Sequence, residues 1–337
     1  MNKIFSYIIK VAFLMGSLFL SCKGVDKEVK VKLSDSEASF FLNDLKEVYF
    51  TALDSCSFYL SKIDTTKAVA ENKVYFLKSR FWYKRAEPYI VAFDYENYKT
   101  LNGPNLLKIE EEAPNDIKKI KPKSFQVVEE LLLGEEPDNK TLQNSLTFIN
   151  ARLPFMKVNN MIFRQSDRHF LKMIRDQIVL VATKGITGFD SPILLNSLKE
   201  SAYSYQTILE VINIYKDVFT DTNLYQSWNN ELKESIRILS QSDFDDFDRY
   251  SFIKNHTNKQ LALINETAKD WNIKLKDSYR LNPTSENLFA QDFFNLSGFS
   301  SKRIYKKSDS VIQLGKKLFN DKSLSCLLYT SPSPRDA

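Results

Sequence analysis

Apolar residues recur at helical spacing through most of the chain. No run shows the strict alternation of apolar and polar positions that is typical of a strand. The pattern therefore predicts an all-α fold, an antiparallel helical bundle of about seven to nine helices over residues 34–272. The amphipathic segments in its second half fall at about 139–153, 164–184, 192–219, 223–241 and 246–271.

Prolines and one charged stretch interrupt this helical pattern. We expect the helix that contains Phe76 and Phe81 to end or kink at Glu87-Pro88, because an internal proline removes an N–H donor. Asp190-Ser191-Pro192 predicts the start of another helix, since proline suits the first turn. The charged stretch 108–123, which carries two prolines, predicts a surface loop.

Composition supports long helices and excludes several classes of function. Eight glycines and ten prolines in 337 residues argue against a β-sandwich, a β-barrel or a glycine-loop nucleotide fold. A net charge of +5 is too small for a dedicated nucleic-acid binder, so we expect no nucleic-acid partner. Two histidines exclude a histidine-rich metal cage.

The N-terminus has the features of a targeting segment. A basic start at residues 1–3 precedes an apolar stretch at 4–20, and Ser21-Cys22 follows it. This order resembles a bacterial lipoprotein signal over residues 1–22. The resemblance implies cleavage just before Cys22, lipid attachment to the exposed Cys22, and a periplasm-facing protein held at a membrane. An ordinary signal peptide or a transmembrane anchor is the alternative. Residues 23–33 form a charged linker.

The remaining cysteines suggest no cofactor site. No pair of cysteines has the CxxC spacing of a zinc ribbon or redox motif, and Cys56 lies in an apolar helical context that predicts a buried free thiol. Cys326 begins a tail, residues 326–337, that is similar to a translated transposon-derived sequencing adapter. We interpret this tail as an artefact, so that the natural protein continues beyond Ser325; a native tail is the alternative.

Residues 314–325, with the sequence LGKKLFNDKSLS, carry the most specific signal in the chain. They resemble the opening of the bacterial di-heme cytochrome c peroxidase family, which includes MauG-like proteins; Asn320 stands where members have a second aromatic residue. The weaker helical pattern over 273–309 predicts a linker before this segment. The resemblance implies a truncated peroxidase domain starting at 310, and two heme c groups and an electron-donor protein for the full-length protein. A generic amphipathic helix is the alternative.

The chemistry of that family needs covalent heme links and axial ligands. The sequence contains no CxxCH motif, so we expect no catalytic residue, no heme-binding residue and no activity in this fragment. In the family, the full enzyme reduces hydrogen peroxide with electrons passed from one heme to another. A MauG-like member would instead oxidise a protein partner.

The helical region shows a second resemblance, carried by Arg80, Lys84, Glu87 and the segment 125–132. It is similar to the helical extension of some lipid-anchored peroxidases, and also to imelysin-like domains. The latter carry a Gly-x-His-x-x-Glu motif proposed to bind metal. The resemblance implies a metal- or ligand-binding lipoprotein as an alternative function, and a purely structural helical module is a third.

The metal candidates that this second resemblance implies are Glu129, Gln126 and Glu87. Two residues spaced i, i+3 share one face of a helix, but glutamine is a poor transition-metal ligand compared with imidazole. From the residues alone, we favour Glu129 as a partly buried carboxylate that pairs with Arg80 or Lys84.

Overall fold

A computed structural model of the protein describes residues 33, 37–113, 116–135, 138–275, 280–299 and 308–321. It confirms the all-α prediction, with 68% helix and 3% strand. The described residues contain ten helices, and α10 alone among them lies beyond residue 272. The predicted lipidation site Cys22 and the adapter-like tail from Cys326 lie outside the described residues.

The helices follow the predicted segments closely, with boundaries that differ by a few residues. Helix α9 is continuous but has a π-helical middle at Ile253–Thr257, between Arg249–Phe252 and Asn258–Asp270. The others are α1 Leu42–Leu60, α2 Val69–Phe93, α3 Tyr95–Leu101, α4 Phe125–Leu133, α5 Asn139–Val158, α6 Asp167–Thr183, α7 Ser197–Ile214, α8 Thr222–Gln241 and α10 Asp309–Phe319.

Helix α2 does not end at Pro88 but continues to Phe93. Proline leaves the carbonyl of the residue four positions earlier, Lys84, without its N–H partner. The Ser204 hydroxyl of α7 lies 3.1 Å from that carbonyl oxygen, and the Thr207 hydroxyl donates to the next carbonyl, that of Arg85, at 2.8 Å. The Ser204 hydroxyl therefore stands in for the lost partner of Lys84, and the Thr207 hydroxyl adds a second link from α7 to the same turn of α2.

The charged stretch 108–123 contains a β-hairpin, so the prediction of a loop there is wrong. Strand β1, Lys108–Ala113, pairs antiparallel with β2, Asp116–Ile120. The register runs from Lys108 opposite Ile120 to Ala113 opposite Asp116. The hairpin was hidden from pattern analysis because its acidic and basic strands lack an alternating apolar face.

The sequence Asp190-Ser191-Pro192 does not start a helix, in contrast to the prediction. Helix α7 begins at Ser197, after a turn in which Leu195 adopts a φ of 51°. Asp190 is buried instead of capping an exposed helix end. Its carboxylate lies against the ammonium groups of Lys84 and Lys184.

The core lies between the long helices and also takes in part of the predicted linker. Phe293 is fully buried and Leu288 nearly so, so residues 280–299 fold back on the bundle. Cys56 is a buried free thiol, as predicted. Every residue of α10 is exposed. Across the described ranges, none of the helices combines the length and apolarity needed to cross a membrane.

Candidate functional site

Helix α2 carries three charged side chains on a face that is otherwise core. Arg80, Lys84 and Glu87 follow the spacing i, i+4, i+7, which places them on one stripe of the helix. Each is only 1–2% exposed. Their neighbours Phe76 and Tyr83 are fully buried. Since buried ions are costly unless they are paired, this stripe requires partners from other elements.

Two carboxylates supply those partners: Glu200 on α7 and Asp190 in the segment before α7. Arg80 Nε lies 2.8 Å from Glu200 Oε1. Lys84 Nζ lies 2.6 Å from Asp190 Oδ2 and 2.6 Å from Glu87 Oε1. All of these side chains are at most 4% exposed. We call this set, together with Lys184 and Glu129, the charge cluster.

The charges in the cluster stabilise one another against desolvation. Burial disfavours the ammonium of Lys84, but the carboxylates of Asp190 and Glu87 outweigh it and raise the pKa of Lys84 above its ordinary value. Burial likewise disfavours the charged form of Asp190, but Lys84 and Lys184 hold its pKa below the usual range. Both partners therefore remain ionised at neutral pH.

Neutral side chains donate further hydrogen bonds to these carboxylates. Asn102 Nδ2 donates to Asp190 Oδ1 at 3.0 Å, and Gln177 Nε2 donates to Glu87 Oε2 at 3.0 Å. Lys184 Nζ, whose side chain is 25% exposed, lies 3.4 Å from Asp190 Oδ1. The cluster therefore reaches water at Lys184 while its centre stays dry.

Glu129 is held differently from the prediction. Its Oε1 accepts hydrogen bonds from the Ser191 hydroxyl at 3.0 Å and from the amides of Ile193 at 3.0 Å and Leu194 at 2.9 Å. Its Oε2 is buried and has no hydrogen-bond partner. The expected ion pair with Arg80 or Lys84 is wrong, because those cations bind Glu200, Glu87 and Asp190 instead.

Burial raises the pKa of Glu129, although the two amide donors and the charge of Arg80 act in the opposite direction. A protonated Glu129 also leaves the charge cluster with equal numbers of positive and negative groups. The cations Arg80, Lys84 and Lys184 then face three carboxylates, those of Glu87, Asp190 and Glu200. The charge cluster is therefore neutral when Glu129 holds its proton.

We expect Glu129→Gln to stabilise the protein at neutral pH. A carboxyl whose folded pKa is raised favours the native state below its unfolded pKa and loses that contribution as pH rises through the folded pKa. Glutamine keeps the acceptor at Oε1 and cannot ionise. Urea unfolding should show equal stabilities well below pH 4.5, the ordinary value, and a growing advantage of the variant above it. A constant difference at all pH values would contradict the raised pKa.

The predicted metal candidates are not brought into one ligand set. Gln126 and Glu129 lie on α4, and Gln126 Oε1 is buried without a partner. Both oxygens of Glu87 are occupied, by Lys84 and by Gln177. In the part of the chain that the structure describes, no group of three or more histidine, cysteine, aspartate or glutamate residues is arranged to hold a metal.

Sequence reasoning missed Asp190, Glu200 and Lys184. The usable signal was the charged stripe of α2, because ions at core positions of an aromatic-rich helix demand buried counterions. The identity of those counterions could not be inferred, since Glu200 is 120 positions from Arg80.

Chemically, the charge cluster consists of fixed, mutually compensated ions. Such an arrangement holds helices in register and fixes their relative orientation. No family model matches the chain, and no curated protein or solved structure shows significant similarity to it.

Proposed function

We propose that this chain is the N-terminal accessory region of a lipid-anchored, periplasm-facing oxidoreductase of the cytochrome c peroxidase type. The observation that carries the proposal is helix α10. Its sequence continues into the segment that resembles the opening of the di-heme domain. Its apolar side chains are 48–64% exposed, namely Val311, Ile312, Leu314, Leu318 and Phe319.

A helix with so many exposed apolar side chains needs a surface to cover them. A heme domain that follows α10 in the natural protein would provide this surface. The helical bundle then acts as a rigid support that packs on or orients the heme domain, and it offers a docking site for an electron-donor protein. Its buried ion pairs of Arg80 with Glu200 and of Lys84 with Asp190 suit a support that keeps one shape.

The heme groups of such an enzyme would be held by residues that follow Ser325 in the natural protein. When bound, heme c supplies the redox chemistry that reduces peroxide or oxidises a protein partner. The 337 residues contain no CxxCH attachment motif, so no step of that chemistry is assigned to the side chains of this chain.

The proposal is tested by recovering the complete gene from genomic DNA and producing its product with the cytochrome c maturation system. We expect two CxxCH motifs beyond codon 325, a product that stains for covalent heme, and peroxide-dependent oxidation of a reduced donor. The 337-residue chain, produced in parallel, should be colourless. An open reading frame without CxxCH would refute the proposal.

A second candidate function is metal binding of the imelysin type, and one observation favours it. Glu129 Oε2 and Gln126 Oε1, on the same helix, are both buried and lack partners, which is unusual for polar atoms. Titration of the protein with Zn²⁺ or Fe²⁺ should then show stoichiometric uptake that is lost in Glu129→Gln. Uptake should be kept in the control Glu234→Gln, whose side chain is 45% exposed. No uptake by the unmodified protein would exclude this function.

A further inference from the structure

A cavity separate from the charge cluster lies between helix α3, the base of the β-hairpin and helix α5. Its volume is about 560 Å³, within the range of small-molecule sites. Each of the three elements contributes to the wall, so the cavity is a product of the tertiary fold. Its apolar lining comprises Pro104, Leu106, Ile120, Pro122 and Phe148.

The charged residues that line this cavity are mostly basic. Four lysines line it, at positions 99, 108, 121 and 123, against the single carboxylate of Glu96. Glu96 is already paired with Lys99 at 2.7 Å. The lysines that follow β2, Lys121 and Lys123, therefore give the cavity a positive potential that its own acidic lining does not cancel.

The positive charges and the apolar wall meet within the same cavity. Lys123 Nζ lies 5.3 Å from the centre of the Phe148 ring, so an ammonium group sits at the edge of the apolar surface. Leu106, another residue of the apolar wall, is 70% exposed. A ligand that fits must combine a negative group for the lysines with an apolar body for the wall.

We propose that this cavity binds a free amphiphilic carboxylate, an anion with an aliphatic chain. The carboxylate would contact the ammonium groups of Lys121 and Lys123, and the chain would cover Leu106, Ile120 and Phe148. Organic cations are disfavoured by the lysines. A small hydrophilic anion would leave the apolar wall in contact with water, which the hydrophobic effect penalises.

The probe for this proposal is dodecanoate, titrated into the purified protein below its critical micelle concentration and followed by calorimetry. We expect saturable binding of one molecule per chain. The charge reversal Lys121→Glu/Lys123→Glu should weaken it by about tenfold or more. The matched double variant Lys199→Glu/Lys233→Glu, on exposed positions of α7 and α8, should bind as the unmodified protein does.

A second variant tests the apolar wall. Leu106→Glu changes a side chain that is mostly exposed, so the fold should persist, as circular dichroism can verify, while dodecanoate binding falls. Dodecanol, which lacks the charge, should bind more weakly than dodecanoate.

Three outcomes would each overturn the proposal. They are binding of dodecanoate to Lys121→Glu/Lys123→Glu as tight as to the unmodified protein, no binding of monomeric dodecanoate, and binding to anionic phospholipid vesicles alone.

Discussion

Replacing Lys84 with methionine should lower the free energy of unfolding by about 3–5 kcal/mol, the usual cost of removing one partner from a buried ion pair. Methionine fills a similar volume but leaves Asp190 and Glu87 without their shared cation at 2.6 Å. Both carboxylates are nearly inaccessible to water. Urea denaturation followed by far-ultraviolet circular dichroism measures the loss.

The matched control for this variant is Lys67→Met. Lys67 pairs with Glu71 at 2.7 Å, but both side chains are more than 40% exposed, and such surface pairs contribute little to stability. If Lys84→Met were no more destabilising than the control, the lysine would not be holding its two carboxylates in a dry environment.

The Arg80–Glu200 pair should show strong coupling in a double-mutant cycle. We expect Arg80→Met and Glu200→Met to cost about 3–5 kcal/mol each, because each leaves one buried ion unpaired. The double variant removes both ions and should be more stable than either single variant. Unfolding free energies of all four proteins give the coupling energy directly.

Additive costs in this cycle would mean that the two residues act independently. That outcome would conflict with the Nε–Oε1 distance of 2.8 Å and with the position of the Arg80 guanidinium among buried rings, 5.3 Å from the centre of Phe125. Arg80 also contacts the Asp190 carbonyl at 3.3 Å, so the double variant should not fully regain the stability of the unmodified protein.

The helices of the bundle could be predicted from the sequence because each of them buries one face. Helix α8, for example, was expected at 223–241 and lies at Thr222–Gln241. Apolar residues at helical spacing mark the buried face of a helix, so this pattern appears wherever one face of a helix packs on a core. The β-hairpin shows no such periodicity, and its residues Ile109, Lys118 and Lys119 are exposed.

The candidate site was predicted only in part. Arg80 and Lys84 were expected near a buried carboxylate, and they do bind carboxylates, but these are Glu200, Glu87 and Asp190. Glu129 took a different place because the turn before α7 presents two backbone amides and a hydroxyl to it. Pairing among several buried ions depends on tertiary geometry, which local spacing does not contain.

The passage of α2 through Pro88 limits how the bundle can deform. Hydroxyls of Ser204 and Thr207, nearly one turn apart on α7, are bonded to successive carbonyls of α2. Helices that touch through apolar side chains alone can slide past each other in a shear motion. In this bundle any axial slip of α7 would expose the Lys84 carbonyl, whose i+4 amide in α2 is missing at Pro88. Rearrangements of this protein should therefore move α2 and α7 together as one body.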